Sequence, residues 1–296
     1  MPATPAPPFG RLLTAMVTPF TPDGALDLDA AAMLATHLVD ECDHDGLVIN
    51  GTTGESPTTT DTEKAELLRV VVDAVGDRAF VVAGVGTFST EHTLQLSAEA
   101  AKAGADGLLV VTPYYSKPPQ AGLRHHFLTV ADSTDVPILL YDIPGRAGVA
   151  IAPETILRLA EHPRIIGVKD AKGDLTSSAR VMAQTDLAYY SGDDAMTLPL
   201  LSVGAVGIVG TSTHFSGPAT KKMVEAYLAG DVTIALELHR QLLPIYTGIF
   251  ATQGCILVKA GLELRGRGVG GLRAPLIAAT EDEKCALADS LTAAGL

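Results

Sequence analysis

Lys169 closes the apolar run Arg164-Ile165-Ile166-Gly167-Val168, and Lys172 follows three residues later. A lysine in that place is either the first solvated residue past a strand or an amine held among apolar side chains. The second case carries chemistry. An ammonium between apolar walls is poorly solvated, so its pKa falls and the free amine can attack a carbonyl to form a Schiff base. Other reactive residues stand at comparable points, each just after an apolar run: Gly51-Thr52-Thr53-Gly54-Glu55-Ser56, Tyr114-Tyr115, and Tyr141-Asp142-Ile143-Pro144-Gly145-Arg146. A glycine turn with two threonines offers amides and hydroxyls that suit a small carboxylate, and the same turn is also an ordinary loop. The Tyr141 phenol can pass protons to and from a carbinolamine or merely pack. Arg146 can grip a carboxylate with two N–H groups or pair with a surface acid.

These residues need elements to bring them together. Eight short β-rich runs recur, each closing on polar or glycine residues: LLTAMVTPF, GLVING, FVVAGVG, GLLVVTPYY, PILLYDIP, IIGVKD, LAYYSGDD and VGIVGTS. Helical periodicity fills the gaps between them. Leu28, Ala31, Leu34, Ala35 and Leu38 share one face, Thr60 to Glu63 forms a capping-box pattern, and Pro153 suits a first helical turn. Near-continuous apolar strands alternating with helices predict a parallel sheet, and eight such units close most simply into a (β/α)8 TIM barrel, with an open doubly wound sheet as the competing topology. From about residue 233 onward the strand signals stop and three helical stretches follow. The expected organisation is a loose tail at 1–8, a catalytic barrel at 9–232 and a C-terminal helical extension at 233–296.

In a parallel barrel the active site lies at the carboxyl ends of the strands, where these residues fall. Strand alternation sends Ile166 and Val168 outward and leaves Ile165, Gly167 and Lys169 facing the barrel interior. Lys172, beyond the strand, reads as a surface lysine, and His125-His126 as part of an exposed helix face.

The chain has 296 residues, 47% of them hydrophobic, which suits a globular protein. Its formal net charge is −13, with 21 Lys+Arg scattered among 34 Asp+Glu. Without a basic stripe, nucleic acid is not an expected partner, and an anionic substrate must be met by a local cation. No apolar run approaches the roughly 18 residues that span a bilayer, and the start MPATPAPPFG lacks the basic and apolar regions of a leader, so a cytoplasmic protein with no membrane partner is expected. Cys42, Cys255 and Cys285 show no CxxC spacing and read as buried free thiols. There is no GxGxxG after a strand, no Walker sequence, no HExxH and no metal-spaced histidine cluster, so neither a metal nor a nucleotide cofactor is expected.

Taken together and in order, GTTGES, TPYY, YDIPGR and GVKDAKGDL resemble the 4-hydroxy-tetrahydrodipicolinate synthase (dihydrodipicolinate synthase) family, within the pyruvate-dependent class I aldolases. The likeness covers nearly the whole chain from about residue 9. It implies that Lys169 is the Schiff-base lysine, and that Thr53 with neighbouring amides, Gly54 among them, holds the pyruvate carboxylate. It further implies that Thr52, Tyr141 and Tyr115 relay protons, that Arg146 clamps the second substrate's carboxylate, and that Val209 belongs to the wall abutting pyruvate. The implied reaction condenses pyruvate with L-aspartate 4-semialdehyde on the route to diaminopimelate and lysine, with no cofactor beyond the covalent Schiff base on Lys169. The implied assembly is a homotetramer, a dimer of dimers, with Tyr115 donated across the tight interface. One departure lies at the end of the eighth strand, where Gly210-Thr211 follows Val209 in place of an Ile-Ser-Val-like run.

N-acetylneuraminate lyases and 2-keto-3-deoxy sugar acid aldolases are the nearest rivals, but they usually show Gly-Ser-Thr-Gly and generally lack the paired tyrosines with Arg146. A catalytically silent barrel acting as a binding protein is the alternative of another class, and the retained residues argue against it. Lysine-inhibited relatives bind the end product with a serine, an alanine, imidazoles, an asparagine and a glutamate. Here Ser56 is kept, while Pro57, Asp61, Lys64, Phe88 and His92 stand at the other positions, with Glu91 one residue from the glutamate's place. Weak or absent inhibition by L-lysine is expected.

Overall fold

The protein's computed structural model describes residues 5–296. Of the tail expected at 1–8, residues 1–4 lie outside the described residues. Within the rest of it, Pro7 already accepts a bond from the Gly10 amide at 3.3 Å.

The strands are β1 (Leu12–Ala15), β2 (Gly46–Ile49), β3 (Phe80–Gly84), β4 (Gly107–Val111), β5 (Ile138–Asp142), β6 (Ile165–Asp170), β7 (Ala188–Ser191) and β8 (Gly207–Gly210). They pair in sequence order, all parallel, and β8 returns to β1 to close the barrel. The helices up to the end of the barrel are α1 (Leu28–Thr36), α2 (Asp61–Val75), α3 (Thr90–Lys102), α4 (Gln120–Asp132), α5 (Pro144–Ala147), α6 (Pro153–Leu159), α7 (Leu175–Met182), α8 (Thr197–Leu201) and α9 (Thr213–Leu228). The C-terminal helices are α10 (Val232–Gly248), α11 (Gly254–Leu264) and α12 (Glu281–Ala293). The local signals act as their chemistry dictates. Thr60 and Glu63 close a reciprocal capping box on α2, and Pro153 opens α6.

Two apolar layers hold the barrel. Inside it, Leu13, Val48, Val82, Leu109, Leu139 and Tyr190 fill the centre, and Phe9 lies at the base, its amide donating to the Tyr190 hydroxyl at 3.2 Å. Outside it, residues such as Leu47, Val81, Leu108 and Leu140 pack against the helices. Burial in both layers is what makes the strands read as unbroken apolar runs. The C-terminal helices continue the outer layer: Tyr246 of α10 meets Thr220 of α9 at 2.9 Å, and Leu287 and Leu291 of α12 join the outer core.

Strand β6 departs from simple alternation. Ile138 pairs with Ile165, but its neighbour Leu139 pairs with Gly167, so the register shifts by one residue between them. Ile165 therefore packs outward with Val168, and Ile166 packs against the inner cluster, the reverse of the sides expected for these two isoleucines. A bulge of this kind is invisible to period-two reasoning. Beyond it the alternation resumes, and Lys169 still points inward.

Two further expectations are corrected by contacts from neighbouring elements. Lys172 is not a surface lysine: its side chain is 11% exposed and its Nζ lies 3.3 Å from Asp142 and 3.0 Å from the Ser177 hydroxyl. His126 is buried at the α4 surface that meets α3, where it shares a hydrogen bond with Thr90 at 2.9 Å, while His125 is exposed. All three cysteines are free, but only Cys255 is buried as expected: Cys42 is half-buried and Cys285 exposed.

Candidate active site

Lys169 stands opposite Tyr141 on β5 and Tyr190 on β7, and it is only 5% exposed. Its Nζ lies 4.4 Å from the centroid of the Tyr141 ring and has no hydrogen-bond or ion-pair partner among the described residues. Room for the lysine stem comes from Gly192, where a Cβ would sit 3.0 Å from both Cγ and Cε of Lys169. Burial lowers the Lys169 pKa from the usual lysine value to about 8; buried Asp194 pulls against this and the Arg146 charge adds to it. Burial acts on Tyr141 in the opposite sense, pushing its phenol up to about 12, with the Arg146 charge and the neighbouring Thr52 hydroxyl holding it down. At neutral pH the site thus pairs a partly unprotonated amine with a fully protonated phenol, a nucleophile beside a proton donor.

The cleft above Lys169 has two lobes. The inner one is lined by Lys169, Thr52, Thr53, Tyr141, Thr211 and Gln253 among others. The outer one, of about 320 Å³, reaches Tyr114 and Leu276. Both lobes share Thr52, Tyr141, Ile143, Arg146 and Gln253, so they adjoin one another.

The turn after β2 supplies the threonines. Asn50 and Glu55, which flank it, both hold left-handed backbones, with φ of 60° and 55°. Its own hydrogen bonds consume the amides of Gly54, Glu55 and Ser56, which donate to Gly51, Thr52 and Gly51 carbonyls. The amides of Thr52 and Thr53 are left without partners among the described residues, and these are the donors available to an anion. Gly54 serves the turn itself: a Cβ there would lie 3.1 Å from the Met16 carbonyl oxygen, and its own carbonyl accepts from Thr18 at 2.6 Å. The Thr53 hydroxyl faces that of Thr211 at 3.3 Å.

Arg146, in the short helix α5, donates through Nη2 to the Gln253 side-chain oxygen at 2.7 Å and pairs with no acid among the described residues. Its guanidinium therefore stays available to a carboxylate in the cleft. Val209 is 1% exposed in the inner barrel cluster and does not line either lobe. Gly210 carries no side chain because Thr213 occupies the space, a Cβ there falling 2.5 Å from its methyl. Tyr115 is 93% exposed, with φ of 71°, and its own chain does not bring it into the cleft. Tyr114 does line the outer lobe and packs edge-on against Phe88.

Residues 8–294 match the Dihydrodipicolinate synthetase family. The chain belongs to that family. A 4-hydroxy-tetrahydrodipicolinate synthase of Acidothermus cellulolyticus is 66% identical over 97% of this chain and 93% of its own. A second synthase so named, from Streptomyces coelicolor, is 58% identical over 99% of this chain and 98% of its own. Among solved structures, DHDPS from Cyanidioschyzon merolae with lysine bound superimposes with a TM-score of 0.96 at 42% identity, covering 98% of this chain and all of that one.

Two residues of this cleft, Thr211 and Gln253, lie outside the family motifs. Gln253 sits in the C-terminal helical part, 107 residues from the arginine it holds, with no local pattern to mark it. Thr211 was visible only as part of the departure after Val209. The Lys169 environment makes a direct prediction: the rate at which borohydride traps a pyruvate imine should rise roughly tenfold from pH 7 to pH 9 and level off above, following deprotonation of an amine near pH 8. A tenfold climb per unit continuing to pH 10 would show an ordinary solvated lysine instead.

Proposed function

We propose that this chain is a 4-hydroxy-tetrahydrodipicolinate synthase, which condenses pyruvate with L-aspartate 4-semialdehyde through a Schiff base on Lys169, in diaminopimelate and L-lysine biosynthesis. The observation that carries the site assignment is an unpaired, buried amine at the floor of a cleft, facing a protonated phenol. Lys169 adds to the pyruvate ketone, and the carbinolamine loses water as Tyr141 protonates the departing hydroxyl, leaving an iminium. The Tyr141 phenolate so formed takes a proton from the pyruvate methyl group to give an enamine, whose carbon attacks the aldehyde, and the phenol then protonates the new alkoxide. The product amine then displaces Lys169 and closes the ring, so the lysine is regenerated without a cofactor. Free Thr52 and Thr53 amides hold the pyruvate carboxylate, and Arg146 holds that of the semialdehyde.

Tyr115 completes the relay of a neighbouring copy in a homotetramer built as a dimer of dimers; its outward position on a strained backbone supports that use. A biosynthetic role supports a cytoplasmic location, and no helix of the described residues is long and apolar enough to cross a membrane.

Purified protein given pyruvate and aspartate semialdehyde should form the cyclic product and should not cleave sialic acid run in parallel. The reverse pattern would reassign it within the aldolases. The same assay, titrated with L-lysine at saturating semialdehyde, should show half-inhibition only above about 1 mM, an affinity weaker than about −4 kcal/mol. The replacements explain why: His92 occupies the Asp61 carboxylate at 2.9 Å, and Lys64 places a cation nearby, its Nζ bound to the Thr59 carbonyl at 2.5 Å. Half-inhibition at lower concentration would mean that a cation-binding pocket survives them.

A further inference from the structure

One buried ion pair has no part in these steps. Glu55 ends the Gly51–Gly54 turn in a left-handed conformation that side chains other than glycine avoid, and it is 2% exposed. Its Oε1 lies 2.7 Å from Nζ of Lys259, a residue of α11 that is itself 4% exposed. Its Oε2 accepts the Arg273 amide at 3.0 Å. Lys259 Nζ also donates to the Gly271 carbonyl at 2.5 Å and lies 4.3 Å over the Phe20 ring. Arg273 stacks on the same ring, bonds both Glu63 oxygens at the start of α2, and reaches the Thr58 carbonyl at 2.9 Å. The segment following the barrel thus grips the catalytic turn at Glu55 and just beyond it.

Two charges removed from water are seldom the cheapest way to fill a core, since apolar side chains of similar size stabilise as well or better. Retaining a pair here makes sense if spacing matters, because the attraction between the two buried charges keeps their parent elements in contact at 2.7 Å. Helix α11 makes that spacing useful. Its N-cap is Gln253, which holds Arg146, and Lys259 stands inside the same helix, holding Glu55. One rigid element therefore spaces the two carboxylate-binding groups of the cleft.

We propose that Glu55 and Lys259 are positioning residues: through their ion pair, the C-terminal helix α11 sets the Gly51–Gly54 turn so that the Thr52 and Thr53 donors face the substrate bound to Lys169. This rests on the proposed function and deepens it by tying pyruvate binding to the C-terminal helices. A displacement of about 1 Å at such a site costs on the order of a hundredfold in rate.

The deciding variant is Glu55→Gln/Lys259→Met, which leaves no lone buried charge and so retains the fold. With thermal unfolding used to verify folding, its KM for pyruvate should rise at least about tenfold, while its KM for the semialdehyde at saturating pyruvate stays within about twofold. Imine trapping should still level off above pH 9, because the Lys169 surroundings are untouched. Lys259→Met alone should be the less stable protein yet no better at using pyruvate than the double variant, since the pair acts as a unit. A folded double variant with unchanged pyruvate KM, or one in which both KM values rise alike, overturns the inference. Failure of the parent protein to form any borohydride-trapped imine would instead overturn the proposed function.

Discussion

Replacing Lys169 with alanine is expected to lower the condensation rate at least about 10³-fold, equivalent to roughly 4 kcal/mol of transition-state stabilisation. Among the described residues no other buried amine is free to substitute. Lys64 is bound to the Thr59 carbonyl, Lys172 to Asp142 and Ser177, and Lys259 to Glu55 and Gly271. Lys169 alone among these faces the cleft unpaired, over the Tyr141 ring. Incubation of the parent protein with pyruvate and borohydride should accordingly add one reduced pyruvyl group, and peptide mapping should recover it on Lys169. A label on Lys172, or none, would falsify the Schiff-base assignment.

The second large effect belongs to Arg146. Its substitution by alanine should raise the KM for aspartate semialdehyde about ten- to hundredfold, the loss of a charge-assisted bond of roughly 1.5–3 kcal/mol. Imine formation with pyruvate should survive, because the donors assigned to pyruvate lie in the turn after β2 and not on α5. It should slow somewhat at neutral pH, since the Arg146 charge helps to lower the Lys169 pKa and its removal lets that pKa climb. Complete loss of the imine would show that Arg146 serves pyruvate or the fold. Steady-state kinetics with each substrate varied in turn, alongside trapping at pH 7, separates these outcomes.

The order of strands, the capping of α2 and the inward direction of Lys169 were all legible because they are local. A capping box needs four consecutive residues, and strand alternation needs only the pleat. The side that Ile165 faces is not local, since the bulge against β5 is a property of two strands together. The burial of Lys172 and His126 escapes local reading for the same reason. Asp142 and Thr90, which receive them, lie 30 and 36 positions away and are brought near only by packing of successive β/α units.

By itself, then, the sequence determined which residues end the strands and what chemistry they carry, because strand and helix periods are set within a few residues by backbone geometry. Barrel closure and the packing of the C-terminal helices decided the rest: that Lys169 lacks a partner, that the Thr52 and Thr53 amides stay free, that Arg146 is held by Gln253, and that Glu55 is held by Lys259. Those facts depend on which distant groups are brought within hydrogen-bonding distance and which are kept from water, and such proximity is a property of the folded chain that no window of neighbouring residues contains.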